Sequence, residues 1–212
     1  MRFIDLSHPL RDGLPAFPSD PRLRIEPHLT MARDRCNVSR ITMGSHVGTH
    51  LDAMAHFVPN GRTIEQMPLD WFHGPARVLR LPKAPREEIT KADFARHEAL
   101  LAPGARVLFD TGWAREFGTE RFFEDFPSMT QEAARYLASR RLRLIGMDTP
   151  TPGRDYYEIH HTLLAPDVEM VIVESLANLG ALPEDAEFTF IGFPLRWAGG
   201  DGSPIRAVAL LP

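Results

Sequence analysis

An α/β domain is what this chain predicts, on three observations. Short runs rich in Val, Ile, Leu and Phe recur along it, two stretches carry helix-start signals, and each of those stretches leads into an apolar run. The first runs are Phe3–Leu6, Asn37–Met43 and Ala76–Leu81. Thr90 and Asp93 then have the spacing of a capping box, which predicts a helix from Thr90 to the stop at Pro103-Gly104. Arg106–Asp110 follows as a strand. A second helix starts near Thr130, with Glu132 in its first turn, and reaches about Arg140. Arg140, Arg141 and Arg143 lie where positive charge suits the helix dipole. The remaining runs are Leu142–Met147, Glu169–Val173, Glu187–Phe193 and Arg206–Leu210. Most of these runs end at Gly, Pro or Asp, as buried strands do. Strands outnumber helices, so some must pair without a helical crossover.

The 212 residues suit one domain spanning 1–212, and no repeat, low-complexity tract or long polar linker divides it. A chain of this size buries roughly 70% of its unfolded surface without needing a staple. Nineteen prolines, about twice the usual share of roughly 5%, imply many loops with fixed φ. A net charge of −4 leaves no basic footprint for nucleic acid. No apolar run approaches the 18 or so residues of a membrane span. Asp5 follows Phe3 and Ile4 too soon for a signal-peptide core, and the expectation is a cytoplasmic protein. The single cysteine, Cys36, excludes an internal disulfide and reads as a small buried residue.

The chemistry concentrates in Ser45–Phe57, SHVGTHLDAMAHF. His46, His50, Asp52 and His56 occupy even positions, so an extended chain would aim all four to one side. On a helix they would form two i,i+4 pairs, but Gly48 and Thr49 disfavour that. A lone histidine is ordinary; four ligand-type side chains within eleven positions are not. Imidazole and carboxylate suit zinc and related divalent ions, and the lack of thiolate argues against a closed structural zinc site. A second group lies far along the chain. His160 and His161 taken alone are what a polar loop carries, and Glu174 closes an apolar strand run where a carboxylate needs a partner, a metal or a cleft.

The segment His46-x-Gly48-Thr49-His50-x-Asp52-x-x-x-His56-Phe57 resembles the signature of the metal-dependent cyclase family, which includes bacterial kynurenine formamidases and isatin hydrolases. Asp5-Leu6-Ser7-His8-Pro9-Leu10 is similar to the family's first strand and turn, and Pro15–Asp20 to its substrate loop. His160-x-x-Leu163-Leu164 with Glu174 resembles its second ligand set, and Ser203–Ala207 its closing strand. The resemblance implies a swivelling β/α/β domain with a mixed central sheet, assembled as a homodimer or larger homo-oligomer. It implies that His46 and His50 bind one metal, that Asp52 bridges two, and that His160 and Glu174 complete the site, with His56 beside it as the acid/base. Phe17, where the formamidases carry tryptophan, is the implied substrate contact, and Met54 replaces a common proline. The doublet leaves His160 and His161 as rivals, and the His-x-x-Leu-Leu spacing favours His160.

The reaction implied is hydrolysis of a carbon–nitrogen amide bond in a small molecule, with an aryl formamide such as N-formylkynurenine first in line. One or two divalent ions, zinc or alternatively manganese, would lower the pKa of water toward roughly 7, and His56 would pass a proton to the leaving nitrogen. Trp71 and Phe72 offer an aromatic wall but read better as packing, while the Phe122–Phe126 segment reads either as exposed aromatics serving an interface or as an ordinary loop anchor. Covalent catalysis has no Gly-x-Ser-x-Gly elbow to support it, and Asp201-Gly202 reads as a turn. The rivals are a cyclic amide such as isatin, a polyketide cyclase-like reaction, and a metal-binding regulator without turnover.

Overall fold

The computed structural model describes residues 1–184 and 186–212. Its first part comprises β1 (Arg2–Asp5), β2 (Arg24–Leu29), α1 (Met31–Asp34), β3 (Val38–Thr42), β4 (His50–Asp52), β5 (His73–Arg80), β6 (Glu88–Ile89) and α2 (Lys91–Ala95). Next come β7 (Arg106–Asp110), α3 (Arg121–Glu124), β8 (Ser128–Met129), α4 (Gln131–Ser139), β9 (Leu144–Met147) and α5 (Tyr156–Leu164). The last strands are β10 (Val171–Glu174), β11 (Phe188–Ile191), β12 (Gly202–Pro204) and β13 (Val208–Leu211).

Nine strands form one mixed sheet in the order β1-β13-β11-β5-β7-β9-β10-β4-β12. Its centre, β5-β7-β9-β10, is parallel, and every flanking pair is antiparallel. The centre is where the sequence is continuously apolar. Every residue of β9 and β10 is buried, as are Val107, Leu108 and Phe109 of β7, which is the pattern of parallel strands covered on both faces. The crossovers between these strands supply α2, α4 and α5, and α4 packs against both of the others. The expected α/β class and mixed central sheet are what is found.

All eight expected runs contain or overlap a strand. Thr130 caps α4, its side chain accepting from Ala133 N at 3.2 Å. Asp93 accepts from Thr90 N at 2.7 Å, which makes the start of α2 as expected. That helix is shorter than its sequence suggests. After Ala95 the backbone tightens to i→i−3 bonds, through a 3₁₀ turn at Glu98–Leu100, and this turns Leu101 fully into the core.

Three expectations are corrected. Cys36 is exposed, because it lies between α1 and β3 on a β2–β3 arm that packs on no core: every residue of β3 is exposed. Phe122 and Phe126 are buried around Trp113, with Phe117 and Phe123 against them, so that segment offers no exposed aromatic face. His160 and His161 sit on α5 and not on a loop. Trp71 and Phe72 are core, as their packing reading had it.

Candidate metal centre

The donors come from four places in the fold. His46 lies in a turn, and Gly48 after it takes φ of +63°, which reverses the chain into β4. His50 and Asp52, two apart on β4, share one face of that strand. His56 ends a 3₁₀ turn at Met54–His56. The alternation anticipated over all four therefore holds only for His50 and Asp52. Glu174 ends β10 and pairs in register with His50 across the antiparallel ladder. His160 projects from the buried face of α5 with Ile159, Leu163 and Leu164, while His161 is half-buried with its ring against Tyr157.

Asp52 is the hub. Its Oδ1 lies 2.8 Å from His46 Nδ1 and 3.5 Å from His50 Nε2, and its Oδ2 lies 3.3 Å from His160 Nε2. Glu174 closes the ring: Oε2 is 3.2 Å from His50 Nε2 and Oε1 is 3.2 Å from His160 Nε2. The far nitrogens of two imidazoles are tied to backbone. His50 Nδ1 donates to the Gly48 carbonyl at 2.8 Å and His160 Nδ1 to the Tyr156 carbonyl at 2.6 Å, so both turn Nε2 toward the carboxylates. His56 stacks on His46 at 3.8 Å between ring centres and meets His160 edge-on at 5.8 Å.

The electrostatics follow from burial against pairing. Burial would raise Asp52, but the three imidazoles outweigh it and hold its carboxyl well below the usual range. Burial would lower His160, yet Asp52 and Glu174 lift it to about 10, and they hold His50 well above its ordinary value too. His56 differs, since burial prevails over its carboxylate neighbours and moves it down. It is the imidazole least committed to carrying charge.

The residues fit a divalent cation. Donor atoms of His46, Asp52 and His56 lie within 4.8 Å of one another, and so do those of His50, Asp52 and Glu174. Asp52 Oδ2 and His46 Nε2 are buried without a hydrogen-bond partner, a cost that a cation or a tightened contact removes. The donors are imidazole nitrogen and carboxylate oxygen, the set that zinc and its neighbours take.

A pocket opens over this floor. Leu14, Pro15, Ala16, Phe17, Ser19 and Asp20 form one wall, which is the expected substrate loop, and Phe57, Phe117, Phe123 and Tyr156 line the rest with His46, His50, His56, His160 and Glu174. Phe17 meets Tyr156 edge-on at 5.7 Å and Phe123 at 6.3 Å. The loop carrying Phe117 is fixed by Asp148, which follows β9 and accepts from Thr111 N, Thr111 Oγ1 and Trp113 N at 3.1, 2.7 and 2.7 Å.

This fold, with its cluster of imidazoles and carboxylates flooring an aromatic pocket, is that of a metal-dependent amidohydrolase. The family model Cyclase, described as "Putative cyclase", matches residues 4–154, and the chain belongs to that family. It is 32% identical over 212 residues to a kynurenine formamidase of Bordetella avium (strain 197N), covering 98% of this chain and 97% of that protein. Among solved structures it resembles isatin hydrolase A from Labrenzia aggregata bound to benzyl benzoate, with a TM-score of 0.85, 28% identity, and coverage of 98% and 93%. A structure described as a potential metal-dependent hydrolase with cyclase activity matches with a TM-score of 0.82, 30% identity, and coverage of 98% and 96%. Among the described residues no helix is long and apolar enough to cross a membrane.

Proposed function

We propose that the protein hydrolyses the carbon–nitrogen bond of an aryl formamide, N-formylkynurenine or a close analogue, to formate and an aromatic amine. His46, His50, Asp52, His160 and Glu174 would hold one or two divalent ions, zinc before manganese. The observation that carries this is the position of Asp52 among three imidazoles, with Glu174 closing the ring and His56 stacked on His46 beside it. Bound there, the ion would supply Lewis acidity toward a carbonyl oxygen and water activated near neutral pH.

The chain's own groups supply the rest. His56, neutral through burial and facing the pocket, takes a proton and returns it to the leaving nitrogen. Phe17, Tyr156 and Phe57 bound the space for the ring and exclude water from it. Formate release from N-formylkynurenine by metal-loaded protein, abolished by chelator, tests the reading. Tightly bound metal without turnover would reject that substrate.

The second reading is a cyclic amide opened without release of formate. It is favoured by the likeness to an isatin hydrolase and by a pocket lined with aromatic rings. Product analysis separates the two. We further propose a homodimer or larger assembly in the cytoplasm. The β2–β3 arm exposes Met31, Val38 and Ile41 and, among the described residues, pairs with no strand of the main sheet, which suits a second copy. Light scattering of purified protein tests this, and a monomer at micromolar concentration would overturn it.

A further inference from the structure

Three imidazoles point at Asp52 or Glu174, and two of them have their outer nitrogen anchored by a backbone carbonyl. His46 is the exception. It turns Nδ1 inward, 2.8 Å from Asp52 Oδ1, and leaves Nε2 facing outward, buried and without a hydrogen bond. What stands opposite is Asp201, whose Oδ2 is 3.8 Å from that nitrogen, in ion-pair range but beyond a hydrogen bond. The Asp201 carboxylate has an unsatisfied buried atom of its own, Oδ1. An imidazole nitrogen with no hydrogen bond among the described residues thus faces a carboxylate oxygen one short step beyond bonding distance.

The surrounding chain holds them in that position. The Asp201 carbonyl accepts from Ala53 N at 2.9 Å, beside Asp52, and Gly202 pairs with Asp52 in the β12–β4 ladder. Gly202 lies so near the His46 ring that a Cβ there would come within 2.4 Å of Cε1. His56 covers the other face at 3.8 Å. Asp201, Gly202, His56 and Asp52 therefore surround the imidazole.

We infer that Asp201 is a positioning residue for the metal centre: closing from 3.8 Å, its carboxylate accepts a hydrogen bond from the Nε2–H of His46, so that Nδ1 is the nitrogen His46 offers to the cation. It does for His46 what the Gly48 and Tyr156 carbonyls do for His50 and His160, and carboxylates commonly serve a metal-binding histidine in this way. Asp201 does not line the pocket, so its part is to orient the imidazole and not to meet substrate.

The inference rests on the metal-centre reading above, and its test separates the two. Zn²⁺ affinity is measured on the full-length protein by competition with a chromophoric chelator, for wild type, Asp201→Ala, Asp201→Leu and Asp201→Asn. Loss of the acceptor in the Ala and Leu variants raises the Kd about 10–100-fold, the range typical of such outer partners. Asn keeps an oxygen acceptor and stays within about threefold of wild type. In the same variants kcat falls while KM for the substrate changes less than about twofold, because the pocket wall is untouched. Should Asp201→Ala fail to fold, the Leu and Asn variants, close in volume, carry the comparison. Wild-type affinity in the Ala or Leu variant would overturn the inference alone. Wild-type protein that binds no Zn²⁺ would overturn both it and the metal centre.

Discussion

The hydroxyl of Thr49 donates a 2.6 Å hydrogen bond to the carbonyl of Ser175. One residue precedes His50 and the other follows Glu174, so this bond ties together the two strands that face their donors across the centre. The same hydroxyl accepts from His8 N at 3.0 Å, and the Thr49 carbonyl accepts from Ile205 N. Thr49→Val leaves the buried Ser175 carbonyl and the half-buried His8 N–H unpaired, and is expected to cost about 1–3 kcal/mol. Metal affinity falls with it, and Thr49→Ser restores both. Urea melts and a zinc titration check this; unchanged affinity in the valine variant would dissociate the bond from the centre.

His56 separates turnover from binding. His56→Ala is expected to lower kcat about 10²–10⁴-fold, the usual worth of a positioned acid/base. Metal content, measured by elemental analysis, stays at the wild-type ratio. If metal and activity disappear together, His56 is a ligand, which its place within the donor cluster also permits geometrically.

The metal-free protein has a pH limit built into its histidines. Burial opposes protonation of His46, but Asp201 and Asp52 hold it at about 9, and His160 is held at about 10. Both lie above the ordinary value of 6.5, so the stability they lend is full below 6.5 and is lost as pH rises through 9 to 10. Asp52 works in the opposite sense, contributing above 3.8 and failing only well below it. Chelator-treated protein should therefore show a urea midpoint that falls steadily from pH 7 to pH 10. A midpoint flat across that interval would refute the pairing on which it depends.

Phe17 should act on substrate and not on chemistry. Its ring packs edge-on against Phe123 and Tyr156 at the pocket wall. With an aromatic contact worth about 0.5–1.5 kcal/mol, Phe17→Ala is expected to raise KM about 3- to 10-fold and leave kcat within about twofold. Steady-state kinetics decide, and a fall in kcat with KM unchanged would move Phe17 out of the binding role.

Hydrophobicity made the eight strand runs legible, since β7, β9 and β10 are nearly continuous apolar stretches. It hid the elements that build the site. β4 is His50-Leu51-Asp52 and β12 is Gly202-Ser203-Pro204, strands whose composition answers to donors and close approach and not to burial of apolar faces. α5 was obscured by two tyrosines and two histidines, although Ile159, Leu163 and Leu164 mark its buried stripe and place His160 within it. In the sequence only the resemblance of His160-x-x-Leu163-Leu164 to the family's pattern separates His160 from His161; the helix puts His160 on the buried face. Asp201 carried no signal: inside Gly199-Gly200-Asp201-Gly202 its carboxylate looks like any turn residue until the chain brings His46 beside it. Cys36 misled because small thiol residues are usually buried, and nothing local shows that the β2–β3 arm stands apart from the core.

The strand bearing His50 and Asp52 lies between β10 and β12, which are encoded more than a hundred residues later. During synthesis, then, the histidine motif emerges long before either neighbour exists, as a loose chelating tail with no cage around it. The donors on β4 are thus brought together with Glu174 only by pairing between segments that lie far apart in the sequence, and no local stretch can assemble the set alone.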